Sequence, residues 1–164
     1  MFYYIDMYFI GCFLGYILET TMKNFFIPSM NNGILYGPWI PVYGFGIVLA
    51  SFVTNKIFRL KIKTPSKFIL SFLILFITIT IVEEAGGLLI EKVFHRTFWS
   101  YESKRFNIGP YISIEMSLLW GFLSLLFVWE LKPLIDVYIK KIPRILTIIL
   151  LGIHLIDAIF TWLI

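Results

Sequence analysis

Residues 68–90, FILSFLILFITITIVEEAGGLLI, decide the fold: no side chain from Phe68 to Val82 carries a charge, and the apolar run resumes after Glu83 and Glu84. About 20 mainly apolar residues in helical form cross the roughly 30 Å of hydrocarbon in a bilayer. A helix on the surface of a soluble protein would carry a polar face, which this stretch lacks. It reads as a membrane span.

Working outward, four more stretches have the same character: Tyr3–Met22 and Ile34–Thr54 before it, Tyr111–Leu131 and Ile145–Ile164 after it. Composition agrees, with 59% hydrophobic and 19% aromatic residues, only 15% charged, and a mean hydropathy of +0.87. A soluble domain carries about 25% charged residues. The expected fold is all-α, a polytopic bundle of about five transmembrane helices forming a single transmembrane domain over residues 1–164. The opening MFYYIDMYFIGCFLGYILE lacks the basic region of a signal peptide and contains Asp6 and Glu19, so it reads as a retained first span.

The net charge of +4 comes from short basic clusters between apolar runs. Lys and Arg collect in this way beside lipid headgroups, so the partners implied are membrane lipids and no nucleic acid is needed. Lys56, Arg59, Lys61, Lys63 and Lys67 follow the second span, and Lys132, Lys140, Lys141 and Arg144 follow the fourth. Against these nine stand five after the first and third spans: Lys23, Lys92, Arg96, Lys104 and Arg105. The bias predicts a multi-pass protein of the cell membrane with a cytoplasmic N-terminus. Trp39, Trp99, Trp129 and Trp162 fall near the expected interfaces, as belt residues do. Cys12, the one cysteine, lies in an apolar run and reads as a small core residue.

The chain also echoes itself. Gly15-Tyr-Ile-Leu-Glu19 in the first span is answered by Gly87-Leu-Leu-Ile-Glu91 in the third. Asn32-Gly33 and Asn107-Ile-Gly109 then open the spans that follow, and Gly44-Phe45 is answered by Gly121-Phe122. Two spans separate the copies, which suggests two parallel two-helix repeats plus one further helix.

Carboxylates within spans are costly and are site candidates by default. Glu19 stands about 24 Å along the first span at 1.5 Å per residue. Glu83 and Glu84 reach a similar height on the third, Glu91 lies two turns beyond Glu84, and Glu115 lies near the outer end of the fourth. The cations of that side are Arg96, Lys104 and Arg105. Two readings stand: ion pairs that hold helices together, or a polar cavity open to the outside that binds a substrate, proton or cation.

The second span is irregular in composition, with Gly37, Pro38, Pro41, Tyr43, Gly44 and Gly46 close together. Such a segment breaks a helix and survives at membrane depth only inside protein or along a watery cavity. It reads either as part of a transport site or as a close-packed kink. His154 and Asp157 share one face of the last span and read either as a proton relay or as a buried hydrogen-bonded pair. Metal-ligand spacing is missing, and so are P-loop, GxGxxG, GxSxG and CxxC motifs, so neither a metal nor a cofactor is expected.

The blocks GYILE, NNGILYGPWIPVYGFG, GGLLIEKVFHRTFWSY and FNIGPYISIEMSLLWG, in this order from about Phe9 to Gly121, resemble the bacterial ABC-transporter type IV membrane family of small permease-like proteins. Ser100 stands where that family carries an acidic residue after the loop tryptophan. The resemblance implies translocation of a substrate with a separate ATPase or another membrane subunit. With the residue-level reading it gives a permease-like component with a carboxylate-lined, outward-facing cavity. Glu19, Glu84, Glu91 and Glu115 would line it, with Trp99, Tyr101, Arg105, Asn107 and Gly109 from the loop above. Asn32, Gly33, Gly37, Pro38, Pro41, Tyr43 and Gly44 would come from the second span and Trp120 from the fourth. The alternatives are an intramembrane enzyme acting on a lipid-linked or headgroup substrate and a non-catalytic subunit of a membrane complex.

Overall fold

The computed structural model describes residues 2–25, 35–95, 97 and 99–163. These residues are about 80% helical. The helices are α1 (Phe2–Phe25), α2 (Pro41–Phe58), α3 (Thr64–Phe94), α4 (Ile114–Leu126), α5 (Lys132–Tyr138) and α6 (Arg144–Leu163), with a two-stranded hairpin of β1 (Asn107–Ile108) and β2 (Ile112–Ser113). A π-turn at Phe127–Leu131 joins α4 and α5 into one run, which a 3₁₀ turn at Ile139–Lys141 extends, so the described residues form five long helices. Among the described residues four helices are long and apolar enough to cross a membrane: Pro41–Phe58, Thr64–Val93, Ile114–Lys141 and Arg144–Thr161. The first expected span falls outside that set. Its 24 residues have the length, but Asp6, Glu19 and Lys23, together with four tyrosines, dilute its apolar character.

The described chain divides into two compact units, Met1–Val48 with Leu134–Ile164, and Leu49–Pro133. In the first, α1 packs on α6. Asp6 is buried and accepts from the Thr147 hydroxyl at 2.6 Å, and Tyr3 donates to Asp136 at 2.7 Å. Gly11 lets α1 touch the opening turn of α2: a Cβ there would meet the Gly44 Cα and the Tyr43 carbonyl at 2.9 Å. Close backbone approach through small residues is how helices associate in lipid.

The expected second span began at Ile34, but the helix begins at Pro41. Pro41 sits at the first helical position, where a missing N–H costs nothing and the fixed φ favours the helix. The irregular stretch accordingly ends at Ile40, and Gly44 lies inside α2. Trp39, expected in an interfacial belt, is only 5% exposed and belongs to the core.

In the second unit α3 and α4 run antiparallel, since Gly121 lies against Phe76 at one end and Tyr111 against Gly87 at the other. Trp129 sits edge-on between Phe58 and Phe68, at 5.2 and 5.4 Å. The expected fourth span is displaced. Tyr111–Ser113 belong to the hairpin or its turn, and the helical run continues past Leu131 to Lys141. Pro133 cannot donate to the ladder, and the π-turn just before it absorbs the disruption. Lys132 therefore lies buried within a helical run instead of in a loop.

Candidate functional site

Glu83, Gly87 and Glu91 recur every four residues along α3, which puts them on one stripe of the helix. The segment from Trp99 to Tyr111 folds back over that stripe. Tyr101 donates its hydroxyl to Glu83 at 2.9 Å, and the Tyr111 hydroxyl donates to Glu91 at 3.0 Å. The indole of Trp120, on α4, also bonds to Glu83. Gly87 makes the approach possible, because a Cβ there would fall inside the Tyr111 ring. Burial, then the Glu91 carboxylate, push the Tyr111 phenol above its ordinary range.

The segment is held by its own backbone. Tyr101 N–H bonds to the Pro110 carbonyl at 2.7 Å, and Ile114 N–H to the Phe106 carbonyl at 3.0 Å. Gly109 turns the hairpin at φ +68°, a left-handed conformation that favours glycine, and the Asn107 amide bonds to its carbonyl at 3.3 Å. The Asn-x-Gly motif is thus the turn that returns the chain to α4. Trp99 packs edge-on to Tyr111 at 6.0 Å and stands over Gly86.

Hydrogen bonding is incomplete at this place. Glu83 is 8% exposed, yet its Oε2 has no partner, and neither has Glu84 Oε2, Trp99 Nε1 or the Ser117 hydroxyl on the buried face of α4. The side-chain carbons of Glu84 border a shallow, wholly apolar recess of about 310 Å³ lined also by Thr80, Ile81, Ala85, Leu88 and Ile112. Glu115 is exposed in the first turn of α4, where a carboxylate complements the helix dipole, and it accepts from Ser113. Arg105 is exposed, with its guanidinium 5.4 Å from the Phe106 ring.

The first unit repeats the local design. Gly15 lies under the Tyr43 ring, where a Cβ would clash, and the Tyr43 side chain bonds to Glu19. Each half of the echo thus carries a glycine, a tyrosine lying on it, and a glutamate one turn on that meets the tyrosine. Asn32 and Gly33 lie outside the described residues.

The irregular stretch before α2 is closed by α6. Asp157 accepts from the Tyr36 N–H at 3.0 Å, the Gly37 N–H at 2.8 Å and the Trp39 indole at 2.6 Å. The Trp39 N–H bonds to the Gly37 carbonyl and the Ile40 N–H to the Cys12 carbonyl. With Pro38 lacking a donor, every backbone N–H from Tyr36 to Ile40 is satisfied, the condition for irregular backbone within a bilayer. His154 turns to a different partner, the Tyr8 hydroxyl at 2.9 Å, so it and Asp157 serve separate contacts.

Sequence reasoning placed Tyr43, Tyr101, Trp99 and Glu91 among the candidates but passed over Tyr111 and chose Glu84 ahead of Glu83. The four-residue recurrence of Glu83, Gly87 and Glu91 was the available signal. Among the described residues, no group of three or more His, Cys, Asp or Glu could hold a metal ion.

No curated protein and no solved structure gives a match to this chain. The family model described as "Putative ABC-transporter type IV" matches residues 7–162. That span takes in all four blocks of the resemblance and both glycine–tyrosine–glutamate clusters, and the chain belongs to this ABC-transporter type IV family.

Proposed function

We propose that the protein is a small transporter or permease component of the cell membrane, working with a separate ATPase or another membrane subunit. Its solute site is built on residues 83–91 of α3, beneath Trp99, Tyr101 and Tyr111. The observation that carries this reading is the pair of buried carboxylate oxygens without partners, on Glu83 and Glu84. A contact that serves only to hold helices together closes its hydrogen bonds, because an unmade buried one costs about 1–3 kcal/mol. Acceptors left open at membrane depth suit a ligand that closes them. Membership of the ABC-transporter type IV family supports transport as the use of that ligand site. The Glu19–Tyr43 cluster is its counterpart in the first half of the chain.

Equilibrium dialysis tests the site without needing the energy source. Purified protein in detergent, dialysed against the small-molecule fraction of a cell extract, should retain at least one solute about tenfold over protein-free micelles. Mass spectrometry reads the retained solutes. No enrichment over empty micelles would count against a binding site.

The proposed orientation puts the basic ends after α2 and after the Ile114–Lys141 run in the cytoplasm, and the N-terminus with them where α1 crosses as a fifth span. In a Cys12→Ala background, Lys61→Cys should resist a membrane-impermeant thiol reagent in intact cells and Ser103→Cys should react. The reverse pattern would put the Glu83–Glu91 stretch at the cytoplasmic side.

A further inference from the structure

We propose that a cleft between the first turns of α1 and α6 holds the phosphoethanolamine headgroup of a membrane phospholipid, its phosphate on Lys140 and Arg144 and its ammonium on Asp6. The cleft lies wholly in the first compact unit and uses none of residues 83–91, so it stands apart from the solute site proposed there.

Phe2 and Asp6 of α1 form one side of the cleft, and Ile139, Lys140, Ile142 and Arg144 form the other, around a volume of about 170 Å³. Lys140 falls at the end of the Ile114–Lys141 run and Arg144 opens Arg144–Thr161. Both helices are long and apolar enough to cross a membrane, so the turn between them stands at a membrane surface. Lys140 and Arg144 are exposed there, and among the described residues no carboxylate pairs with either. The Arg144 guanidinium lies 5.7 Å from the ring of Phe2, which is itself a wall of the cleft. Asp6 accepts from Thr147 through one carboxylate oxygen. Its other oxygen bonds to no described residue and, unlike Glu84 Oε2, is not shut away from solvent.

Two cations and a carboxylate around one cleft favour a ligand that bears both signs. A lone anion would face Asp6, and a lone cation would face Lys140 and Arg144, leaving charge uncompensated beside a low-dielectric layer. A phosphate matches the guanidinium fork, and an ammonium matches the open carboxylate oxygen. Its surroundings make the ligand a lipid. Ile139 and Ile142 border the cleft, and Ile145, Ile148 and Ile149 continue from Arg144 as exposed alkyl surface on which glycerol and acyl chains can lie. The small volume suits the ammonium of ethanolamine better than the trimethylammonium of choline.

Native mass spectrometry of the full-length protein in detergent reads the site directly. The titrants are dioleoyl phosphatidylethanolamine, phosphatidylglycerol and phosphatidylcholine, matched in their chains. Phosphatidylethanolamine should bind saturably and at least about fivefold tighter than either of the others. Lys140→Gln and Arg144→Gln should each weaken it, and together by at least tenfold, while Lys61→Gln in the other unit should leave it unchanged. Asp6→Asn keeps an acceptor for Thr147 and removes the charge, so it should erase the preference over phosphatidylglycerol. Should Asp6→Asn fail to fold, the two exposed cations still decide the matter. Phosphatidylglycerol binding as tight as phosphatidylethanolamine to the unaltered protein, or phosphatidylethanolamine binding that survives the double variant, would overturn the proposal. Competition by soluble phosphoethanolamine at the potency of the lipid would place the ligand in solution and overturn it as well. Solute retention in dialysis, and its loss in Glu83→Gln, should be the same with or without the Lys140 and Arg144 changes, so the two sites fail separately.

Discussion

Asp157→Ala should lower the melting temperature of the detergent-solubilised protein by on the order of 10 °C. One carboxylate accepts from two backbone N–H groups and the Trp39 indole, and the alanine leaves all three donors without it. Each orphaned buried donor costs about 1–3 kcal/mol. Tyr36 is exposed, so water can replace the bond to its N–H, while Trp39 is 5% exposed and has no such substitute. Counting mainly the Gly37 and Trp39 donors gives roughly 2–5 kcal/mol, and a chain of this length loses about 2–4 °C per kcal/mol. Asp157→Asn should cost less, since its amide oxygen still accepts. A melting temperature unchanged in Asp157→Ala would mean that the stretch before α2 is not held by α6.

Two adjacent glycines should respond with opposite signs. A Cβ at Gly87 falls inside the Tyr111 ring, close to its root, where no side-chain rotation clears it. Gly87→Ala should therefore push Tyr111 off Glu91 and destabilise by about 1–3 kcal/mol, the usual cost of overpacking. A Cβ at Gly86 would meet only the far edge of Trp99 at 3.7 Å, an ordinary contact. Alanine is favoured over glycine within a helix by up to about 1 kcal/mol, so Gly86→Ala should be neutral or stabilising. Melting temperatures of the two variants, measured side by side, decide the matter. Equal losses in both would mean that Tyr111 does not rest on Gly87.

The helices were legible from apolar length alone, because a bilayer imposes that length on any crossing segment. Their ends were less legible, since prolines act locally. Pro41 starts a helix that apolarity would begin at Ile34, and Pro133 is accommodated by a π-turn inside a run that apolarity would end at Leu131. The repeat of Gly15–Glu19 in Gly87–Glu91 could be read directly, and Tyr43 was a candidate, whereas the contact each tyrosine makes with its glutamate could not be read. Tyr43 and Tyr111 reach their glutamates only after a turn whose geometry depends on tertiary packing. Asp157 likewise reads in the sequence as a partner for His154. Three of its four donors come from a segment more than a hundred positions earlier, which spacing on a helix does not reveal.

The most direct measurement compares Glu83→Gln with the unaltered protein in one preparation, reading solute retention by dialysis and melting temperature together. Glutamine keeps an acceptor for Tyr101 and removes the charge. A working site predicts retention reduced at least tenfold with the melting temperature within a few degrees of the parent. A sharp fall in melting temperature with retention per folded molecule unchanged would contradict it and leave Glu83 a structural tie between α3 and the loop above.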